Sequence, residues 1–198
     1  MVQHTLFAFF VFAITAAVTP GPSNVLVMTA GARSGIIGGL RCLLGVVAGM
    51  AMMMGAAVAG LGGVITAFPV LLVILKWVGS AFLLWLAWKV ASAPPIRSEL
   101  GEEPIGFWKS LGFQWVNPKS WIVSASAAAS YGSALPGSTA ARSLLISATF
   151  AVAATIACAV WLVFGAALKQ WLSNERNSRV FNLTMGALLA ASIVLIHL

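Results

Sequence analysis

The sequence predicts an all-α integral membrane protein with six transmembrane helices, arranged as a 3+3 inverted repeat in which helices 1 and 4 are broken by proline. The first observation is composition: 198 residues, 61% hydrophobic and only 8% charged, with a mean hydropathy of +1.01. A soluble domain carries about 25% charged residues, so this chain could not cover a water-facing surface. The second is length. At about 20 residues per span, the chain accommodates six helices and no separate soluble domain, so 1–198 reads as a single transmembrane domain. The third is a pair of breaks, Thr19-Pro20-Gly21-Pro22-Ser23-Asn24 and Val116-Asn117-Pro118-Lys119-Ser120, with Pro20 and Pro118 98 residues apart. Proline removes a backbone donor and clashes with the preceding turn. Loose backbone groups at membrane depth are tolerated only where protein or a water-filled cavity receives them.

The elements follow in order from the hydropathy. Span 1 runs about Thr5–Gly31 and is broken at Thr19–Asn24. A turn at Gly31-Ala32-Arg33-Ser34-Gly35 leads into span 2, about Gly38–Gly63, and span 3, about Phe68–Trp88. The segment Ala91–Pro104 holds Pro94, Pro95, Glu99, Glu102 and Glu103 and reads as a loop. Span 4, about Ile105–Tyr131, carries the second break. Small residues over Gly132–Ala141 turn the chain into span 5, about Ser143–Leu168, and the polar Lys169–Arg179 precedes span 6, about Val180–Leu198. Repeat 1 covers about 1–90 and repeat 2 about 105–198, joined by the 91–104 loop. Three spans per half is an odd number, so the halves must insert in opposite orientations.

Basic residues set the topology. With the turn after span 1 in the cytoplasm, Arg33, Arg41, Lys89, Arg97, Lys109, Lys119, Lys169, Arg176 and Arg179 are inside, and only Lys76 and Arg142 are outside. That bias follows the positive-inside rule and puts both termini outside. It also explains the net charge of +7 without nucleic acid, since no basic cluster is interleaved with aromatics. The apolar run Leu6–Val18 lacks a basic leader and reads as the first span rather than a signal peptide.

The chemistry concentrates at the breaks. Thr19, Pro20, Gly21, Pro22, Ser23 and Asn24 form the stronger candidate substrate-binding element. Pro20 and Pro22 withhold donors, and Gly21 permits unusual dihedrals. The N–H groups of Ser23, Asn24 and Val25 are expected to start the second half-helix unpaired, a positive end suited to a carboxylate. Freed carbonyls around Ala17–Thr19 suit an ammonium group. Asn117, Pro118 and Lys119 form the second element. Lys119 either faces a cavity near the midplane or anchors span 4 at the inner interface, and the sequence leaves both open. Paired broken helices at corresponding places in two halves point to the central site of a secondary transporter. Gly45, Gly49, Gly55, Gly60 and Gly63 read as close helix contacts, and Met50, Met52, Met53 and Met54 as packing.

Absences narrow the function. The chain has no Asp, and no Glu lies inside a span, so coupling through a buried carboxylate is excluded. Cys42 and Cys158 have neither redox nor metal spacing. There is no nucleophile–His–acid set and no phosphate loop, so no enzyme, cofactor or metal is expected.

At Thr19-Pro20-Gly21-Pro22, Gly31-Ala32-Arg33-Ser34-Gly35, the stretch Lys76-Trp77-Val78-Gly79 through Trp88, and Phe113-Gln114-Trp115-Val116-Asn117-Pro118-Lys119, the chain resembles the lysine exporter and threonine/homoserine exporter family. The stretches Ala87–Pro94 and Pro104–Trp108 look most similar to its cysteine and O-acetylserine exporter branch. The resemblance implies efflux of amino acids across the bacterial inner membrane, driven by the proton gradient, often by homodimers. Ser23 stands where many relatives have asparagine. Two other readings remain beside a small-amino-acid exporter working in the lipid bilayer. One is a channel or an ion or other small-solute exporter on the same scaffold; the other is a non-transporting membrane scaffold. The lack of an acid in the spans favours neutral substrates.

Overall fold

The computed structural model describes residues 2–94 and 105–197, and every described element is helical. The predicted loop at 91–104 lies mostly outside the described residues, and with it Glu99, Glu102 and Glu103. Helix α1 (Val2–Val18) stops before Pro20, and α2 (Pro22–Ala56) begins with proline at its first position, where the missing N–H costs nothing. A π-helical turn (Ala57–Leu61) and the short α3 (Gly62–Ala67) lead to α4 (Pro69–Ala91). Then come α5 (Phe107–Val116), α6 (Pro118–Tyr131), α7 (Thr139–Ala167), a 3-10 turn (Trp171–Ser173) and α8 (Glu175–His197).

Nominally α2 is one helix of 35 residues. Gly35 divides it, because its φ of 70° and ψ of −173° are non-helical. Residues eight apart in a straight helix would be about 12 Å apart. A Cβ on Gly39 would instead lie 3.3 Å from the Gly31 nitrogen and 3.4 Å from the Ala30 carbonyl carbon. The arms 22–34 and 36–56 therefore fold back on each other. The reversal takes one glycine, whereas the sequence suggested a turn spread over Gly31–Gly35. Helix α8 likewise starts at Glu175, within the stretch expected to be a polar connection.

Small residues set how closely the helices approach. A Cβ on Gly165 of α7 would strike the Met28 carbonyl oxygen, and one on Gly31 would strike the Leu162 carbonyl oxygen, so the 22–34 arm and α7 lie backbone to backbone. Gly45 and Gly49 bring the 36–56 arm onto α5, with the Gly49 position 2.8 Å from the Leu111 oxygen. Gly79 seats α4 against the ring of Pro118, and Gly186 seats α8 against Ala87 and Ala91 of α4. Of the glycines expected to make such contacts, Gly45, Gly49 and Gly55 do. A Cβ at Gly60 or Gly63 would have nothing within 4 Å, and Gly60 has a φ of 143° near the end of the π turn. Met50, Met53 and Met54 are buried as packing, but Met52 points outward, 53% exposed.

The polarity is inverted relative to a water-soluble protein. Phe7, Ile37, Trp77, Trp88, Trp108 and Leu144 face outward, Ile37 at 85% exposure. Asn24, Ser110, Gln114, Asn117, Ser120 and Ser124 are buried. Helix α7 and the stretch Pro22–Val64 are long and apolar enough to cross a membrane, the latter as two arms once Gly35 is taken into account.

If the glycine contacts set the helix spacing, Gly165→Val should lower the thermal stability of the detergent-solubilised protein by about 1–3 kcal/mol or more, the cost of overpacking. Gly112→Ala, at a position with nothing within 4 Å, should be neutral or raise stability by about 0.5–1 kcal/mol. Thermal unfolding of the two variants checks both.

Candidate functional site

The two breaks meet. Helical bonding in α1 runs on to Thr19, whose N–H donates to the Thr15 carbonyl. Pro20 and Pro22 then deny the chain two donors, and α2 restarts. Gly21 is fully extended there, with φ −178° and ψ 179°, a conformation open to any residue. The expectation that glycine supplies an unusual dihedral is therefore corrected. What Gly21 supplies is room: a Cβ would lie 3.0 Å from Lys119 Cδ and 3.2 Å from its Nζ.

At the second break, Asn117 precedes a proline, which disfavours helical backbone, and it is extended at φ −85° and ψ 112°. Its side chain caps α6 by accepting from the Lys119 N–H at 3.1 Å, an N-cap of the ordinary kind. Lys119 thus leaves α6 from its first turn, pointing across to the first break. There its Nζ donates to the Thr19 carbonyl at 2.6 Å.

A second set of bonds ties the breaks together. Ser23 Oγ donates to Gln114 Oε1 at 2.8 Å and accepts from Asn117 Nδ2 at 3.0 Å. Ser120 Oγ donates to the same Gln114 oxygen at 3.1 Å, and Gln114 Nε2 is held by the Ser110 carbonyl at 3.2 Å. Asn24 Nδ2 donates to the Ala17 and Thr19 carbonyls, both at 2.9 Å, and Trp161 Nε1 donates to the Val18 carbonyl at 3.3 Å. The carbonyls of 17–19, expected to be free for an ammonium group, are thus all engaged. Val25 N–H is engaged as well, by the Gly21 carbonyl at 3.0 Å. The backbone N–H groups of Ser23 and Asn24 have no acceptor among the described residues, as the sequence led us to expect.

Between the breaks lies a cavity lined by Gly21, Ser23, Asn24, Asn117, Lys119 and Ser120, with an apolar remainder that includes Val46, Met50 and Cys158. It offers about 20 Å³ for the centres of water-sized molecules, room for one or two waters and too little for an amino acid. Its lining includes no acidic residue. Of the sequence-derived candidates, Thr19 takes part through its carbonyl. Pro20, Pro22 and Pro118 shape the breaks from outside the cavity. Sequence reasoning missed Gln114 and Ser120. Gln114 lies three residues before the Asn-Pro pair in a motif already singled out, but nothing local indicates that its partner is Ser23. Among the described residues no cluster of His, Cys, Asp or Glu could hold a metal ion.

A family model described as LysE type translocator matches residues 14–196 of the chain. Curated relatives are similar over a shorter stretch. A cysteine/O-acetylserine efflux protein of Salmonella typhi is 38% identical over 121 residues, covering 60% of this chain and 61% of the relative. The protein of that name in Klebsiella pneumoniae subsp. pneumoniae is 34% identical over 119 residues with the same coverage. One from Escherichia coli O139:H28 is 34% identical over 120 residues. The matched stretch is about three-fifths of each relative's length. No solved structure matches the chain.

If Gln114 is the shared acceptor that joins the breaks, Gln114→Leu strands two hydroxyls and should lower stability by about 1–3 kcal/mol. Ser124, on the same helix as Ser120, provides the contrast, since its buried hydroxyl has no partner. Ser124→Ala should be at least as stable as the parent, and thermal unfolding in one detergent compares the two.

Proposed function

We propose that this chain, which belongs to the LysE type translocator family and is a translocator rather than an enzyme, exports small neutral amino acids or close derivatives across the bacterial inner membrane. The observation that carries the substrate class is the charge of the cavity: one lysine ammonium projects towards it and no acid lines it. A substrate with a cationic side chain would bring a second positive charge into a low-dielectric space, at a cost of several kcal/mol. Cysteine and O-acetylserine, named for the relatives, are small and neutral in their side chains, and so match the charge of this site.

Alternating access is the proposed mechanism. The cavity is too small for an amino acid, so binding and release require the breaks to separate. Residues 19–21 and Asn117 are the points where helical structure is interrupted, and the two breaks are bridged by side chains that can exchange partners. A six-span 3+3 inverted repeat with breaks in helices 1 and 4 is supported by the packing. Helix α1 packs on α7 as α5 packs on the 36–56 arm, the pairing that exchange of the two halves demands. The apolar exterior supports a multi-pass arrangement in lipid. With Lys119 turned into the cavity, the remaining eight-to-two bias of Lys and Arg supports both termini outside and the 91–104 loop in the cytoplasm. Proton-driven efflux and a homodimer as working unit are supported by the resemblance alone.

Counterflow of labelled amino acids in proteoliposomes is the direct test. Threonine, homoserine, cysteine or a similar neutral compound should exchange faster than lysine. A carrier that exchanged lysine faster than every neutral amino acid would contradict the charge argument, and flux without counterflow would indicate a channel. Asn24→Ala, which frees the Ala17 carbonyl and one bond to the Thr19 carbonyl, and Pro20→Ala, which lets the helix close, should both abolish exchange while the protein still inserts. For topology, a cysteine at Ser98 in a variant lacking Cys42 and Cys158 should resist an impermeant thiol reagent added to intact cells. Labelling from outside would reverse the orientation.

A further inference from the structure

The bond from Lys119 Nζ to the Thr19 carbonyl closes the cavity with a group that resembles one end of an amino acid. An ammonium has three donors, and among the described residues the Thr19 oxygen is the acceptor that Lys119 has. No acid of the cavity wall balances its charge. The Thr19 oxygen in turn accepts from both Lys119 and Asn24, so its two lone pairs are filled. An incoming ammonium can reach that carbonyl only if one donor leaves.

Two observations identify the one that leaves. Asn24 is buried and held at a second point, the Ala17 carbonyl. Lys119 reaches Thr19 at the end of a flexible four-carbon stem, and Gly21 leaves open the space beside that stem. A lysine that leaves the Thr19 carbonyl in a cavity without an acid needs an anion at once, because an unpaired charge in a low-dielectric space costs several kcal/mol. The substrate carries one.

We propose that Lys119 is the carboxylate-binding residue of the transport site, and that the substrate binds by inserting between Lys119 Nζ and the Thr19 carbonyl. The α-carboxylate takes the lysine, and the α-ammonium takes the oxygen the lysine has vacated. The Ser23 and Asn24 N–H groups, which open α2 beside the same cavity, are placed to donate to the carboxylate as well. The net charge in the cavity is unchanged by a zwitterion, and the one bond given up is replaced by two, so opening the latch and binding the substrate are one event. This rests on the export reading above and adds to it a requirement: the substrate must present a free carboxylate and a free ammonium together. A carboxamide cannot draw Lys119 away, and a desamino acid cannot replace it on Thr19.

The test is competition in counterflow of one labelled neutral amino acid against three unlabelled compounds: the same amino acid, its carboxamide and its desamino acid. In the parent protein the two analogues should compete at least about tenfold more weakly, the scale of one charge-assisted hydrogen bond. In Lys119→Gln, binding of the amino acid should weaken about tenfold or more, and its advantage over the carboxamide should largely vanish, while discrimination against the desamino acid persists. Lys119→Arg should keep discrimination against the carboxamide. If Lys119→Gln does not turn over, ligand-induced shifts in the thermal unfolding of the purified variants give the same comparison. A Lys119→Gln protein that retains the parent's preference for carboxylate over carboxamide overturns the proposal and leaves the lysine a structural tie. A parent protein with no counterflow of any neutral amino acid is a different result, because it removes the export reading itself.

Discussion

The structure depends on the meeting of its two helix breaks. A break in an apolar body exposes carbonyls and N–H groups that lipid cannot satisfy. Either break alone would be costly. Placed face to face, each meets the needs of the other: Lys119 from the second bonds the Thr19 carbonyl of the first, and Ser23 from the first bridges Gln114 and Asn117 of the second. Among the described residues, the unmet polarity of that region includes the backbone N–H groups of Ser23 and Asn24 and the spare donors of Lys119. These residues line the cavity. The unmet polarity is therefore concentrated where a polar solute could meet it.

The surrounding helices hold this junction in place by close approach. Without a hydrophobic drive between helices in lipid, packing must come from shape, and small residues allow it. Gly79 lets α4 rest on Pro118, so the second break is backed by a helix outside the cavity. Gly49 brings the 36–56 arm within reach of Gln114, the residue that gathers Ser23 and Ser120. The same glycines that bring the helices together thus fix the side chains that join the breaks. A substitution among them would act on the site without touching it.

Much of the fold was legible in sequence, because hydropathy and proline act locally. The apolar stretches correspond to helices, and Pro20, Pro22 and Pro118 mark where helix stops and starts. The site was legible in position but only partly in role. That Gly21 serves for space and not for its dihedral depends on Lys119, and their contact spans nearly a hundred positions. The engagement of the carbonyls of 17–19 depends on Asn24, Lys119 and Trp161, which no local rule pairs with them. Gln114 looked like one residue of a motif because its partner Ser23 belongs to the other half. Gly60 and Gly63 followed the same small-residue pattern as Gly45 and Gly49, yet a Cβ at either would point into open space. In each case the missing information was a long-range partner, which periodicity does not contain.

The polarity of the first break explains why a single lysine suffices in a site with no acid. A helix ends with carbonyls that carry about half a negative charge and begins with N–H groups that carry about half a positive one. Here α1 ends at Val18 and α2 begins at Pro22, so the two opposite poles lie within a few residues of each other. Such a pair matches a zwitterion, with its ammonium on the α1 side and its carboxylate on the α2 side. Lys119 lies in the first turn of α6, at the positive pole of its own helix, where a cation is unfavourable. Its ammonium reaches the negative pole of α1 instead. The lysine is thus drawn to the place a substrate ammonium would take, with no carboxylate to fix it there. An aspartate or glutamate at the junction would pair with it tightly and hold the breaks shut. With no acid in the cavity wall, Lys119 is tied to the first break by its bond to the Thr19 carbonyl and not by an ion pair.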